Sequence, residues 1–341
     1  MVDTEFGRLG FAICEDLLWR SPVVELVEEG GIDTLLIPLS WWDMFPHQLA
    51  HSNEDAWARG LQVFLWLFGK SKLLCQVNLL AANNHVPSDW NSGSGIFTPV
   101  GHAAYYHNVT EGAVSPNPIP LPGSGGRLLV ADIPISTTPE FPHWSEYAKQ
   151  NLDNYPNSEE EFTAVVYDDQ FTFVPMDPTS RSAKVCTEDG SLCCLADFIF
   201  EEADEIFSLG VFSGTHTKDG SVSGSFYIEM CTIMKCDPNN VDMCEQDKVK
   251  DYTYLTSSNT VFQKLQLSGT FSEEAKVYPE VLFHNTELIP EQVEISPEGV
   301  LLLRRIGDSF DPVLSMSLFG RRYAEDSPLP DHFCPGSKTD E

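Results

Sequence analysis

The residue best placed for covalent chemistry is Cys14. It ends the apolar run Gly7-Arg8-Leu9-Gly10-Phe11-Ala12-Ile13 and is followed by Glu15-Asp16 and, a few residues on, by Ser21-Pro22. The run reads as a buried strand. Ser21 suits a helix N-cap, Pro22 the first helical position, and Gly30-Gly31 the end of that helix. A cysteine on such a strand-to-helix turn is held rigidly and exposed, which is the logic of a nucleophile elbow, although the glycine pattern differs. The backbone N–H of Glu15 is the candidate oxyanion donor, a role worth about 3–4 kcal/mol per donor in the transition state. The same thiol fits a second role, as a small buried hydrophobe. Reactivity requires a neighbouring base or cation, and Glu15 and Asp16 have the wrong charge to favour a thiolate.

Other constellations carry less chemistry. His47 and His51 stand four apart, a metal-compatible spacing, but ordinary hydrogen bonding on one helix face is the expectation, and no metal or cofactor is expected. Trp41 and Trp42 come just after a strand on the side where Cys14 emerges, so they are candidates for lining a substrate cleft, with core packing equally open to them. Gly93-Ser94-Gly95 lacks the lysine and the strand–loop–helix frame of a phosphate loop. Six of nine cysteines, Cys186, Cys193, Cys194, Cys231, Cys236 and Cys244, form a dense cluster suited to disulfides in an oxidising compartment, with connectivity open. Asn108-Val109-Thr110 is a glycosylation sequon with Asn108 as the acceptor.

Charge narrows the partners. Fifty-one acidic against twenty basic side chains leave a net −31 over 341 residues, which excludes a phosphate-binding surface of clustered Lys and Arg and docking on anionic lipid. A small-molecule substrate is expected, with no nucleic acid. Val63–Phe68, the most apolar run, is too short to span a membrane, and the polar tail after Tyr323 holds no glycolipid-anchor signal. Met1-Val2-Asp3-Thr4-Glu5-Phe6 has no signal-peptide character, so an extracellular protein is expected whose signal lies upstream of this sequence.

The elements that position Cys14 come from periodicity. Strands are expected at 7–13, 32–38, 77–82 and 128–133, with extended chain from Gly93 to Phe97 and a helix over Phe45–Leu61. Strand, helix and strand in this order predict an α/β layer. Residues 63–76 fit no place in that scheme, and 113–126 read as a Pro/Gly-rich loop. Beyond a polar linker at 137–160, short alternating strands (171–174, 226–230, 261–267 and 300–304) predict a β-rich, disulfide-stapled domain over 161–325, with a loose tail at 326–341.

Several stretches together resemble one known family. Val2 to Asp16, Ile32 to Trp41, Ala56-Trp57-Ala58-Arg59-Gly60-Leu61-Gln62, Val77 to His85 and Ser92-Gly93-Ser94-Gly95-Ile96-Phe97-Thr98-Pro99 are similar to the segments around the nucleophile of the vanin/biotinidase family, within the nitrilase superfamily of carbon–nitrogen hydrolases. Phe171-Thr172-Phe173-Val174-Pro175, Leu192-Cys193-Cys194, Leu209 to Gly214 and Leu318-Phe319-Gly320-Arg321 resemble its C-terminal module. The resemblance implies a partial four-layer α-β-β-α catalytic domain over residues 1–136. It also implies a Glu–Lys–Cys triad in which Cys14 attacks a linear amide to form a thioester. The amide would be pantetheine-like, or biotinyl-lysine as the runner-up. In the family both the glutamate base and the lysine precede the cysteine. Only thirteen residues do so here, and none is a lysine. The expectation is therefore an N-terminally truncated chain, inactive alone, in which Gln62 would otherwise continue directly into Val77. The rival expectation is a non-catalytic secreted binding module with a vestigial catalytic half.

Overall fold

The computed structural model describes residues 1–66, 72–86, 91–107, 119–120, 127–133, 142–157, 160–166, 168–216, 225–236, 244, 255–305 and 310–327, with backbone alone at 62–66, 72–76, 119–120 and 127. The first half is a mixed six-stranded sheet. Its strands are β1 (Val2–Thr4), β2 (Gly7–Phe11), β3 (Thr34–Leu39), β6 (Asn78–Asn83), β7 (Ser94–Thr98) and β8 (Gly101–Tyr106), adjacent in that order. β2, β3 and β6 run parallel and the outer pairs antiparallel. The apolar runs read from the sequence are thus the parallel centre, where both faces of a strand tend to be covered. β4 (Gln62–Trp66) and β5 (Lys72–Gln76) form a separate antiparallel hairpin. The interruption expected at 63–76 lies outside the main sheet. Of the strand expected at 128–133 only Leu128 lies in a strand, β10 (Arg127–Leu128), paired with Ile119–Pro120 (β9).

Between β2 and β3 the helical run spans Arg20–Val24 and α1 (Glu25–Glu28), and Gly31 at φ 60 ends it. Glycine takes that left-handed position without the Cβ clash other residues meet. The helix expected over 45–61 is shorter: α2 is Ala50–Gly60. Gln48 at φ 57 lies outside the helical region, and the N–H of Ala50 is capped at 3.0 Å by the Asp43 carboxylate. His47 therefore precedes the helix, and the two histidines share no helix face.

The second half is a sandwich of two antiparallel sheets. One orders β11 (Phe162–Val166), β12 (Asp169–Pro175), β15 (Ile206–His216), β16 (Phe226–Cys236), β21 (Val313–Arg321) and β18 (Lys276–Phe283). The other orders β13 (Ser182–Cys186), β14 (Cys193–Glu202), β17 (Val261–Gly269), β20 (Leu301–Leu303) and β19 (Val293–Ile295). Phe198, Phe207, Phe262, Phe283, Ile233, Met316 and Leu318 fill the space between them. Burying each such side chain stabilises by about 1.5–3 kcal/mol. All six clustered cysteines are paired, as Cys186–Cys193, Cys194–Cys231 and Cys236–Cys244. Cys194–Cys231 ties β14 to β16 and so crosses the sandwich.

The two halves are packed together through α2. This helix lies on β6, β7 and β8 on one side and on β18 on the other. Polar residues along it (His51, Ser52, Glu54, Asp55 and Arg59) are consequently buried. Gly60 lets the backbones approach: a Cβ there would sit 2.6 Å from the Val277 carbonyl. The polar stretch expected as a linker is ordered over 142–157. α3 (Glu146–Asn151) lies there, with Tyr147 N donating to Glu298 O and the Tyr155 hydroxyl to Asp197. Asn108 and the residues beyond 327 lie outside the described residues.

Candidate active site

Because β2, β3 and β6 are parallel, their carboxyl ends share one sheet edge, the usual place for chemistry in such sheets. Cys14 stands there, three residues beyond the end of β2. It opens a 3-10 turn, Cys14–Leu18, with φ 50. That conformation is unfavourable for a residue with a Cβ and is found where surrounding structure enforces it. The Asp16 carboxylate accepts the Ile13 N–H at 2.8 Å, and Asp16 N and Trp19 N donate to Ile13 O and Asp16 O. The acid that looked ill-suited to activating a thiol serves instead to fold the turn. Cys14 is half-buried and a free thiol. Glu15, the expected oxyanion donor, is the next residue of the turn.

The thiol borders an open cleft of about 580 Å³ lined by Ile13, Cys14, Glu15, Asp16, Trp19, Arg20, Ser21, Tyr323, Asp326 and Ser327. The last three belong to the second half of the chain, so both halves build the wall. Tyr323 shares a 2.7 Å hydrogen bond with the hydroxyl of Tyr278, and burial raises the pKa of both phenols, which keeps them protonated. Sequence reasoning missed these three residues, because nothing local marks a tail that folds back on a strand three hundred residues away.

Trp41 and Trp42 do not border this cleft. Trp41 is buried, with its indole N–H donating to Gln48 O at 3.0 Å. Trp42 is 63% exposed. The segment after β3 is tied instead by Asn83 at the end of β6, whose amide accepts from Trp41 N at 2.9 Å and donates to Trp41 O and Ser92 O. Asn83 thus ties the segment after β3 to the end of β6 and to Ser92.

Metal-ligand types gather at one place among the described residues. Asp43, His51 and His107 are buried with ligand atoms within 4.8 Å of one another. They also form a hydrogen-bonded network: His107 Nε2 meets Asp43 at 2.8 Å, its Nδ1 meets the Thr286 hydroxyl at 3.2 Å, and His51 Nε2 meets Thr286 O at 2.8 Å. Burial holds the His107 pKa down at about 3 and pushes the Asp43 pKa up to about 7. His47 Nε2 pairs with Thr232 at 2.7 Å. These groups join the two halves.

Comparison with known proteins agrees with this architecture. The sequence profile described as the Vanin C-terminal domain matches residues 160–326. A pantetheinase of Bos taurus is 32% identical over 328 residues, covering 95% of this chain and 56% of the relative. The Homo sapiens pantetheinase is 30% identical over 327 residues, covering 95% and 55%. A Mus musculus biotinidase is 29% identical over 346 residues, covering 94% and 59%. The chain spans a little more than half the length of these curated relatives. On the matching C-terminal domain and on similarity running through nearly the whole chain, this protein belongs to the vanin/biotinidase family.

Proposed function

We propose that this chain is the nucleophile-bearing part of a secreted amidase that hydrolyses a linear amide through Cys14. The observation that carries the reading is the conformation of Cys14: a free thiol at φ 50, beyond a parallel strand, opening a turn beside a cleft. The thiol sulfur attacks the amide carbonyl carbon, and the N–H of Glu15 stabilises the oxyanion. The C–N bond then breaks, the amine leaves with the thiol's proton passed on by the base, and an acyl thioester remains. Water cleaves the thioester, releases the acid and restores the thiol.

Relatives named pantetheinase and biotinidase support pantetheine as the substrate class, giving pantothenate and cysteamine, with biotinyl-lysine as the second candidate. The mechanism needs a glutamate base and a lysine that the thirteen residues before Cys14 do not supply in the family's order. The chain by itself is proposed to be inactive, and the activity is that of the whole protein. Phe11 in β2 is 52% exposed, and its ladder partner Leu36 lines, with Pro38, Leu80 and Ile96, a mostly apolar hollow of about 530 Å³. Such a face is what the partner sheet of a four-layer α-β-β-α sandwich covers. Three disulfides support an extracellular location.

The test is Cys14→Ala in the whole protein carrying this chain, assayed for cysteamine release from pantetheine. Turnover is expected to vanish, since no other free thiol stands among the described residues. Retained turnover would refute the assignment.

A further inference from the structure

We propose that Arg321 is a positioning residue for the Cys14 turn: from the second domain, its guanidinium holds the Leu18 carbonyl and thereby fixes the conformation that presents the thiol. The inference rests on the reading of Cys14 as the nucleophile.

Arg321 ends β21 and is 1% exposed, a placement that is costly for a cation unless every donor is met. Every donor group of the fork is met. Nη1 donates to Tyr227 O at 2.6 Å and to Asp326 at 3.0 Å, and Nη2 donates to the other Asp326 oxygen at 2.8 Å. The ring centroids of Phe226 and Tyr323 each lie 4.6 Å from the guanidinium carbon, so two aromatic rings pack against it. These contacts, all within the second domain, fix the fork before it reaches the first. Its remaining bonds, from Nε at 3.2 Å and Nη2 at 2.9 Å, converge on Leu18 O.

Leu18 is the last residue of the turn that Cys14 begins. Its carbonyl is one of those a helix end leaves without a partner inside the helix. A turn of five residues has few bonds of its own, too few to hold a strained first residue. Trp19, just after it, packs edge-on against Phe226 at 6.0 Å, the ring that also lies on Arg321. The turn is therefore gripped at its end while Asp16 caps its start, and Cys14 at φ 50 is caught between. A lysine would keep the charge but lack the planar fork that reaches one carbonyl and one carboxylate together. The sandwich is on this account part of the catalytic apparatus, because the conformation of the nucleophile depends on it.

The test uses the whole protein carrying this chain, with ¹³C-labelled cysteines and a ¹⁵N-labelled backbone, and Cys14 assigned by comparison with Cys14→Ala. In folded Arg321→Met, the Cys14 Cα and Cβ shifts are expected to move away from values typical of a left-handed backbone. The amides of Asp16 and Trp19 are expected to exchange at least ten-fold faster, while those of β16 and β21 stay within two-fold. Arg321→Lys supplies a second folded variant if the methionine form does not fold, with changes in the same direction. Wild-type Cys14 shifts and unchanged exchange at Asp16 and Trp19 in either folded variant would overturn the proposal. So would acceleration spread equally through β16 and β21, which is the mark of a general stabilising role. Neither readout needs turnover, so a Cys14 that never carries an acyl group would defeat the nucleophile reading and leave the clamp standing.

Discussion

In the second domain two sheets face each other across a core of phenylalanine and aliphatic side chains, a disulfide crosses between them, and the outer face of one sheet is packed against α2. The sheet of the first half has one face packed in this way and another on which Phe11 is 52% exposed and Leu36, Leu80 and Ile96 are half-buried. The closed region is where burial and cross-linking concentrate. The open one is where a cysteine sits at positive φ beside a cleft. Strain at Cys14 persists because its neighbours hold it, and several of those neighbours belong to the closed region. Stability is thus supplied by one half and used by the other.

The largest effect that can break this comparison is loss of the crossing disulfide. Cys194→Ala with Cys231→Ala opens a link across 37 residues, and the chain-entropy relation gives about 4 kcal/mol of lost stability. Chemical denaturation checks it; a change under ~1 kcal/mol would show that the second core needs no staple. Next, adjacent residues of β3 sharpen the contrast between the faces of the open sheet. Leu35→Ala, at a fully buried position, should cost about 3 kcal/mol. Leu36→Ser, at the half-buried position beside it, should cost less than ~1 kcal/mol in this chain. Equal costs would mean the two faces are equally covered.

The boundary between the regions is titratable. Burial pushes Glu280 up to about 7 from 4.5, although it accepts from Gln48 N at 3.0 Å and from the Ser52 hydroxyl. A raised carboxyl pKa means the folded state keeps its proton while the unfolded chain loses it. Stability from this group is therefore present below about 4.5 and lost as pH rises toward 7, by on the order of 2–3 kcal/mol. His47, held down at about 3 by burial, acts in the opposite sense, and its contribution is lost as pH falls below 6.5. Glu280→Gln should remove the first dependence, so unfolding free energies at pH 5 and pH 8 should differ less than in the unaltered chain. An unchanged difference would place the titration elsewhere. At the same boundary Thr232→Val, which removes the 2.7 Å partner of His47, should cost about 1 kcal/mol by thermal unfolding.

Much of the open region is legible because its strands are short apolar runs separated by turn residues. Gly7–Phe11, Thr34–Leu39 and Asn78–Asn83 coincide with such runs, and Gly31 closes the helical run as its type suggests. The expected helix is too long because 3.6-residue spacing of apolar residues cannot reveal that Gln48 takes positive φ. α2 itself is polar yet buried, a pattern that composition alone assigns to a surface. In the second domain β14, β15, β18 and β21 escape sequence reading, since strands covered on both faces lose the alternation that marks a half-exposed strand. The cysteine cluster predicts the staples but not their pairing. At the site, Cys14 is marked by its position after a strand and by family resemblance. Tyr323, Asp326 and Ser327 are invisible in the sequence because their proximity to it is purely tertiary.

The most direct test of the central claim is to quench the whole protein with acid during turnover of pantetheine and to map the acyl group by peptide mass spectrometry. A pantothenoyl thioester is expected on the peptide carrying Cys14, absent from the Cys14→Ala form and from the peptides of Cys75 and Cys334. Turnover with no adduct at Cys14, or with the adduct on another cysteine, would contradict it.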